Sequence, residues 1–371
     1  MEYSSLNALI VILIFGSLVT MSFLKFANPL KVNKRANFWL GVSFLLWSTF
    51  WMEEIVQLTN MGEADVYAVY VLRCIQFLAP LNFYFYVILF TNPLFKLRFS
   101  HIKHAILPAI YFIIISIKFF GDYENRDLIQ ILLLSLVIIQ SFLYTFISFL
   151  TIRKHQKNIL LFSSDIKGIN LDWLEYITIM AMLMSLIISL YNIFYFAAIP
   201  NLPLNLFILI VIFFMGYYSL KQKEIYPIDE KQRRDIISIN ESEIVTEPKK
   251  KIIPDEELEV MKQRINEIMN VQKPYLDSDL NLIKLADLLS VTPHQLSYAI
   301  NTSFNENFFH FINKYRVEEA KELLMNHNKD NLSILGIAFE SGFNSKTSFN
   351  TTFKKIANQT PSEFKKRSST L

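Results

Sequence analysis

Two clusters of polar side chains carry the kinds of group that read nucleic-acid edges. His294, Gln295, Ser297, Tyr298 and Asn301 fall on the exposed face of one short helical pattern, and Lys346, Thr347, Asn350, Thr351, Lys354 and Lys355 on that of another. Amides and hydroxyls exchange hydrogen bonds with base edges, while lysines neutralise phosphates. The first cluster holds neither Lys nor Arg, so strong bidentate guanine readout is not expected from it; the second is better furnished. A third cluster is of another kind. Glu53, Glu54 and Arg73 stand inside apolar stretches, where an ionisable group is costly unless paired or hydrated. Arg73 is expected to pair with Glu53 or Glu54 near an outward-facing cavity, as a structural link between helices or as part of a ligand-sensing site.

Other chemistries find no residues to carry them. Cys74 is the single cysteine, which leaves no intramolecular disulfide and no Cys-rich zinc site. No glycine-rich nucleotide lid follows Lys221, and no nucleophile, metal or phosphate-loop constellation occurs, so neither catalysis nor a metal or cofactor is expected. His310 and His327 lack metal-ligand spacing and read as structural or surface residues. The net charge of +3 is too small to point to a polyanion by itself.

The elements that position these residues belong to two different solvents. At 52% hydrophobic and 15% aromatic content over 371 residues, the chain is too apolar for an ordinary soluble protein, and the excess is concentrated before Lys221. Seven stretches, 5–27, 37–57, 66–91, 102–119, 128–151, 173–198 and 203–221, approach the roughly 20 residues that a helix needs to cross about 30 Å of hydrocarbon. Runs of this length and continuity are helices and not barrel strands. The fold class is therefore all-α, a seven-helix transmembrane domain over 1–221.

Orientation follows from the connections. The first, third and fifth carry Lys25, Lys31, Lys34 and Arg35, then Lys96, Arg98 and Lys103, then Arg153, Lys154, Lys157 and Lys167, and such loops stay on the cytoplasmic side. An odd number of spans then puts the amino terminus outside and everything after Lys221 inside, in a cytoplasmic membrane. Asn82, Gln140 and Asn192 suit interhelical hydrogen bonds, and Trp51 and Trp173 suit interfacial belts. Residues 222–254, with Pro227, Pro248 and the run Lys249 to Lys251, read as a mobile tether. Within 255–272, Leu258, Met261, Ile265, Ile268 and Met269 recur at helical spacing behind an acidic first turn. This amphipathic helix is expected to pack on the domain that follows or on a second copy of the chain as a homodimer.

Residues 273–371 hold a duplicated unit. Leu282 to Leu289 is helical by pattern, and Thr292-Pro293 supplies an N-cap and a first-turn proline for a second helix with Leu296, Ala299 and Ile300 inward. After a longer helix from Phe309 to Met325 the pattern returns: Ile334 to Glu340, then Gly342 at a turn, then Ser345 to Ile356 with Phe349 and Phe353 inward. Two short helices around a tight turn make a helix-turn-helix.

Over about 100 residues this region resembles the AraC/XylS DNA-binding domain. The resemblance rests on Leu285-Ala286, Ser290-Val291-Thr292-Pro293, the run from Phe308 to Lys321, Ile337 to Ser345, Phe353-Lys354-Lys355 and Thr360 to Phe364. Asn305 and Asn358 stand where that family usually has Gly after each recognition helix; Asn tolerates the left-handed region next best. The resemblance implies that both recognition helices enter the major groove of double-stranded DNA. It makes His294, Gln295, Ser297 and Tyr298 base-facing in the first unit and Lys346, Thr347, Asn350 and Thr351 in the second.

Joined to the membrane domain, this implies a one-component transcription regulator, with lipid bilayer and DNA as partners and a small molecule or envelope signal acting through two states of the bundle. Two other readings share the layout: a transporter or enzyme with a regulatory DNA-binding tail, and a constitutive DNA-binding domain held at the bilayer.

Overall fold

Backbone groups that leave water must bond internally, and the apolar half of the chain meets this with helices. The structure, a computed structural model, describes residues 5–59, 65–121, 126–195, 201–223, 225, 234, 236, 252–325 and 332–368. Its helices are α1 (Ser5–Ala27), α2 (Lys34–Ser48), α3 (Met52–Leu58), α4 (Val66–Phe77), α5 (Ala79–Thr91), α6 (Ile106–Phe120), α7 (Arg126–Asn158), α8 (Asp172–Tyr195) and α9 (Asn201–Lys221). There follow α10 (Asp255–Val271), α11 (Leu282–Leu289), α12 (Pro293–Phe304), α13 (Phe308–Met325), α14 (Ile334–Glu340), α15 (Lys346–Ala357) and α16 (Pro361–Ser368). Among the described residues no strand forms, only an isolated antiparallel bridge between Ser163 and Asn281.

The chain divides into two units: residues 1–154 with 171–224, and residues 155–170 with 225–371. In the first unit helices occupy all seven expected stretches. Among the described residues five are long and apolar enough to cross a membrane: 5–27, 66–91, 99–120, 127–161 and 202–221. The second stretch is interrupted, because a 3-10 turn at Thr49–Trp51 separates α2 from α3 and leaves neither half long enough. The sixth, α8, is likewise not among the five. Small residues let α1 and α2 approach closely: Ser22 Oγ donates to Gly41 O at 2.8 Å, and a Cβ on Gly41 would sit 2.8 Å from the Phe26 ring. Asn82 donates to Ser43 Oγ at 2.6 Å and Gln140 to Phe77 O at 2.6 Å, the interhelical bonds expected of them; the Asn192 side chain lies outside the described residues.

Trp173 departs from the expected belt position. It is buried and donates to Gln222 at 2.7 Å. Most of the expected tether, 222–254, lies outside the described residues, as does His327; of its described part, Ile225 and Ile236 are buried.

In the second unit each short helix starts and stops where local chemistry dictates. Asn281, Thr292, Ser333 and Ser345 accept hydrogen bonds from Lys284 N, Gln295 N, Gly336 N and Ser348 N, capping α11, α12, α14 and α15. Asn305 and Asn358 close the two longer of these helices in the left-handed region, at φ 54° and 56°. The core is one apolar seam per unit of the repeat. Leu285, Ala286, Leu296, Ala299 and Ile300 are buried in the first, and Ile337, Ala338, Phe349 and Phe353 in the second, each large side chain contributing about 1.5–3 kcal/mol. Helix α10 packs on this domain: Met261, Ile265 and Met269 are buried, and Arg264 donates to Leu289 O at 2.5 Å.

Candidate nucleic-acid interface

The two helix-turn-helix units superpose in their local chemistry. Val291 N donates to Ala286 O at 3.0 Å, and Phe343 N to Ala338 O at 2.9 Å. Ser290 and Gly342 take the left-handed turn position at φ 55° and 83°. Only Gly342 is under steric constraint, since a Cβ there would meet Tyr275 O at 2.2 Å.

The second recognition helix, α15, presents the expected residues. Lys346, Thr347, Thr351, Lys354 and Lys355 are exposed and Asn350 is half-buried, while Phe349 and Phe353 are buried. Among the described residues none of the three lysines is in an ion pair, so their charge is available to phosphates. His310 lies near Lys355, and burial together with that charge holds its imidazole below the ordinary range.

The first recognition helix, α12, differs. His294 and Tyr298 are half-buried and remain on the accessible face. Ser297, expected to face bases, is buried at 7% exposure, because it lies on the border of the inward stripe of Leu296, Ala299 and Ile300. Gln295 is spoken for in part: its side-chain oxygen accepts from Thr292 N at 3.0 Å and Thr292 Oγ at 2.9 Å in a capping box. A glutamine reads adenine with oxygen and nitrogen together, so half of that pattern is engaged by the cap.

One cation near the site is structural. Arg316, 1% exposed, donates from Nε to Tyr275 O at 2.7 Å, from Nη2 to Asp277 O at 2.8 Å and Ser164 Oγ at 3.0 Å, and from Nη1 to Ser164 O at 3.3 Å. Burial pulls its guanidinium down to about 10, against the fields of Asp165, Asp277 and Asp279. Nothing in the sequence marked Ser164 or Asp165 as neighbours of this domain.

The acidic pair sits in the first unit. Arg73 meets Glu53 at 2.8 Å, choosing it over Glu54, and also donates to Gln76 Oε1 at 3.1 Å. Gln76 in turn donates to Thr49 O at 2.9 Å. The network thus serves a carbonyl at the 3-10 turn of the second helix, where the regular ladder is broken. A separate cavity of about 240 Å³ is lined by Leu18, Trp47, Trp51, Met180 and Met215 among other apolar side chains. It does not include Arg73 or either glutamate. Trp51 borders it while donating to Asn205 Oδ1 at 3.1 Å.

A family model described as a helix-turn-helix domain matches residues 285–367. An uncharacterized helix-turn-helix-type transcriptional regulator of Staphylococcus aureus strain COL is 30% identical over 102 residues, which are 28% of this chain and 13% of that protein. Another, from Pseudoalteromonas carrageenovora, is 30% identical over 101 residues, 27% of this chain and 57% of that protein. The chain therefore matches about an eighth of the first relative's length. Among solved structures, the C-terminal domain of AraT, a response regulator from Geobacillus stearothermophilus, is 30% identical and covers 32% of this chain and 88% of its own, with a TM-score of 0.26.

Proposed function

We propose that this chain, whose C-terminal residues form a helix-turn-helix domain of the AraC type, is a membrane-embedded one-component transcription regulator. The observation that carries the reading is the joining, among the described residues, of two capped recognition helices, one with a lysine-rich face in no ion pair, to five helices long and apolar enough to cross a bilayer. The domain reads double-stranded DNA in the cytoplasm, with α15 as the principal reader and α12 as the weaker partner. The seven helical segments act as seven spans, the amino terminus lying outside, and lysines and arginines of the first, third and fifth connections support that orientation. A signal acts by favouring one of two states of the bundle; the Glu53–Arg73 network at a broken helix is the polar element placed to respond to it.

Topology is tested on the Cys74→Ser chain carrying single cysteines, Lys157→Cys or Glu63→Cys. In intact cells a membrane-impermeant maleimide labels Glu63→Cys alone if the orientation holds. Labelling of Lys157→Cys would place the DNA-binding domain on the wrong side and end the reading.

A further inference from the structure

Residues 155–170 connect the fifth and sixth apolar stretches, yet they belong to the same unit as the DNA-binding domain. The chain therefore passes between the two units three times, after Lys154, after Asn170 and after Glu224. The connection is bonded into the domain along its length. Phe162 O accepts from Leu282 N at 2.9 Å, Ser163 bridges to Asn281, and Ser164 Oγ donates to Leu280 O at 2.5 Å. Ile159, Leu161 and Phe162 are buried. Ser164 O also accepts from Asn313 Nδ2 at 3.0 Å and is the acceptor for Nη1 of the buried Arg316.

The last of these contacts reaches the nucleic-acid interface. Asp165 accepts from Asn344 Nδ2 through one carboxylate oxygen and from Ser348 Oγ at 3.5 Å through the other. Asn344 is in the turn of the second helix-turn-helix and Ser348 in the first turn of α15. One carboxylate thus ties the turn to the helix it launches, directly beside Lys346 and Thr347. Charge-assisted hydrogen bonds of this kind fix geometry more firmly than neutral ones.

We propose that the connection 155–170 is the transmission segment of the protein: docked on the DNA-binding domain, it positions the second recognition helix through Asp165, and DNA affinity follows its docking. The proposal rests on the reading of the domain as DNA-binding. Helix α7 runs from Arg126 to Asn158 and leads into these residues, so they are tied in sequence to an apolar stretch, whereas a tether can transmit only proximity. A device of this kind needs an element with two arrangements that both sites bias, and a docked or released connection is such an element.

The test uses the full-length protein in lipid nanodiscs, with duplexes that the wild type selects from a random-sequence pool. Asp165→Ala is expected to weaken binding about fivefold, the lower end for the loss of two net hydrogen-bonding interactions, and to erase footprint protection only in the half read by α15. Asp165→Asn, which keeps one acceptor oxygen and so one of the two contacts, restores part of both. Amide exchange across 345–353 rises in Asp165→Ala while that across 293–304 does not. Faster exchange with unchanged affinity would make the segment a mere brace and overturn the proposal, as would tighter binding. Should the wild type select no duplex, the regulator reading fails, and the exchange arm still decides whether Asp165 holds α15.

Discussion

The two helix-turn-helix units share a backbone plan and differ in what they leave for DNA. In the first, Ser297 is buried and the Gln295 oxygen is drawn into its own cap. In the second, five polar side chains stand exposed on α15, and among the described residues its lysines are in no ion pair. Duplication conserves the positions that build a helix, whereas the outer face of each copy is free to diverge. On the proposed reading, this difference concentrates readout in the second copy and leaves the first to contribute alignment on the duplex and weaker contacts.

The largest effect that would break this comparison is steric. Ser290 and Gly342 occupy matching turns, but only Gly342 lies against Tyr275 O. Gly342→Ala is expected to destabilise the domain by about 3 kcal/mol or more, while Ser290→Gly leaves it intact or slightly firmer. Limited proteolysis of the full-length protein separates the two; equal resistance would mean that the turns are equivalent after all. Next, Lys346→Ala with Asn350→Ala should cost about 1–3 kcal/mol per lost base contact, and His294→Ala with Tyr298→Ala distinctly less. Binding isotherms that rank the pairs in the opposite order would move the principal reader to α12.

A smaller effect concerns phosphates. Replacing Lys354 or Lys355 with Ala should lower the slope of log affinity against log salt by about one each, and near-uniformly across sequences. A salt series on both variants checks this, and a sequence-dependent loss would show base contacts instead. The smallest is at Ser297. Since the residue is buried at 7% exposure, Ser297→Ala should change selected-duplex affinity by less than about twofold, within the spread of neutral substitutions; a larger loss would require the helix to rotate on binding.

What the chain makes legible is its local chemistry. Thr292-Pro293, Gly342 and the asparagines after each recognition helix announce caps and turns because single residues decide those conformations. The inward faces of α10, α12 and α15 follow from spacing alone. Ser297 reads as exposed from spacing but is buried, because it lies on the border of the inward stripe, where one step of 100° separates buried from exposed. Trp173 reads as an interfacial anchor by composition, but its partner Gln222 comes 49 residues later and has no periodic signature. The break at Thr49–Trp51 has no proline to advertise it. Docking of 155–170 was hidden for the same reason as Trp173: Ser163-Ser164-Asp165 looks like a solvated loop until Arg316 and Asn344 are brought against it from the other end of the chain.

The central claim is that the intact, membrane-inserted protein reads specific DNA. Genome-wide crosslinked occupancy of the full-length wild type, beside the Lys346→Ala, Asn350→Ala variant expressed to the same level, tests it directly. The account predicts discrete peaks in the wild type that vanish in the variant while the protein stays in the membrane fraction. Peaks that survive the double substitution, or a wild type without peaks in every growth condition tried, would contradict it.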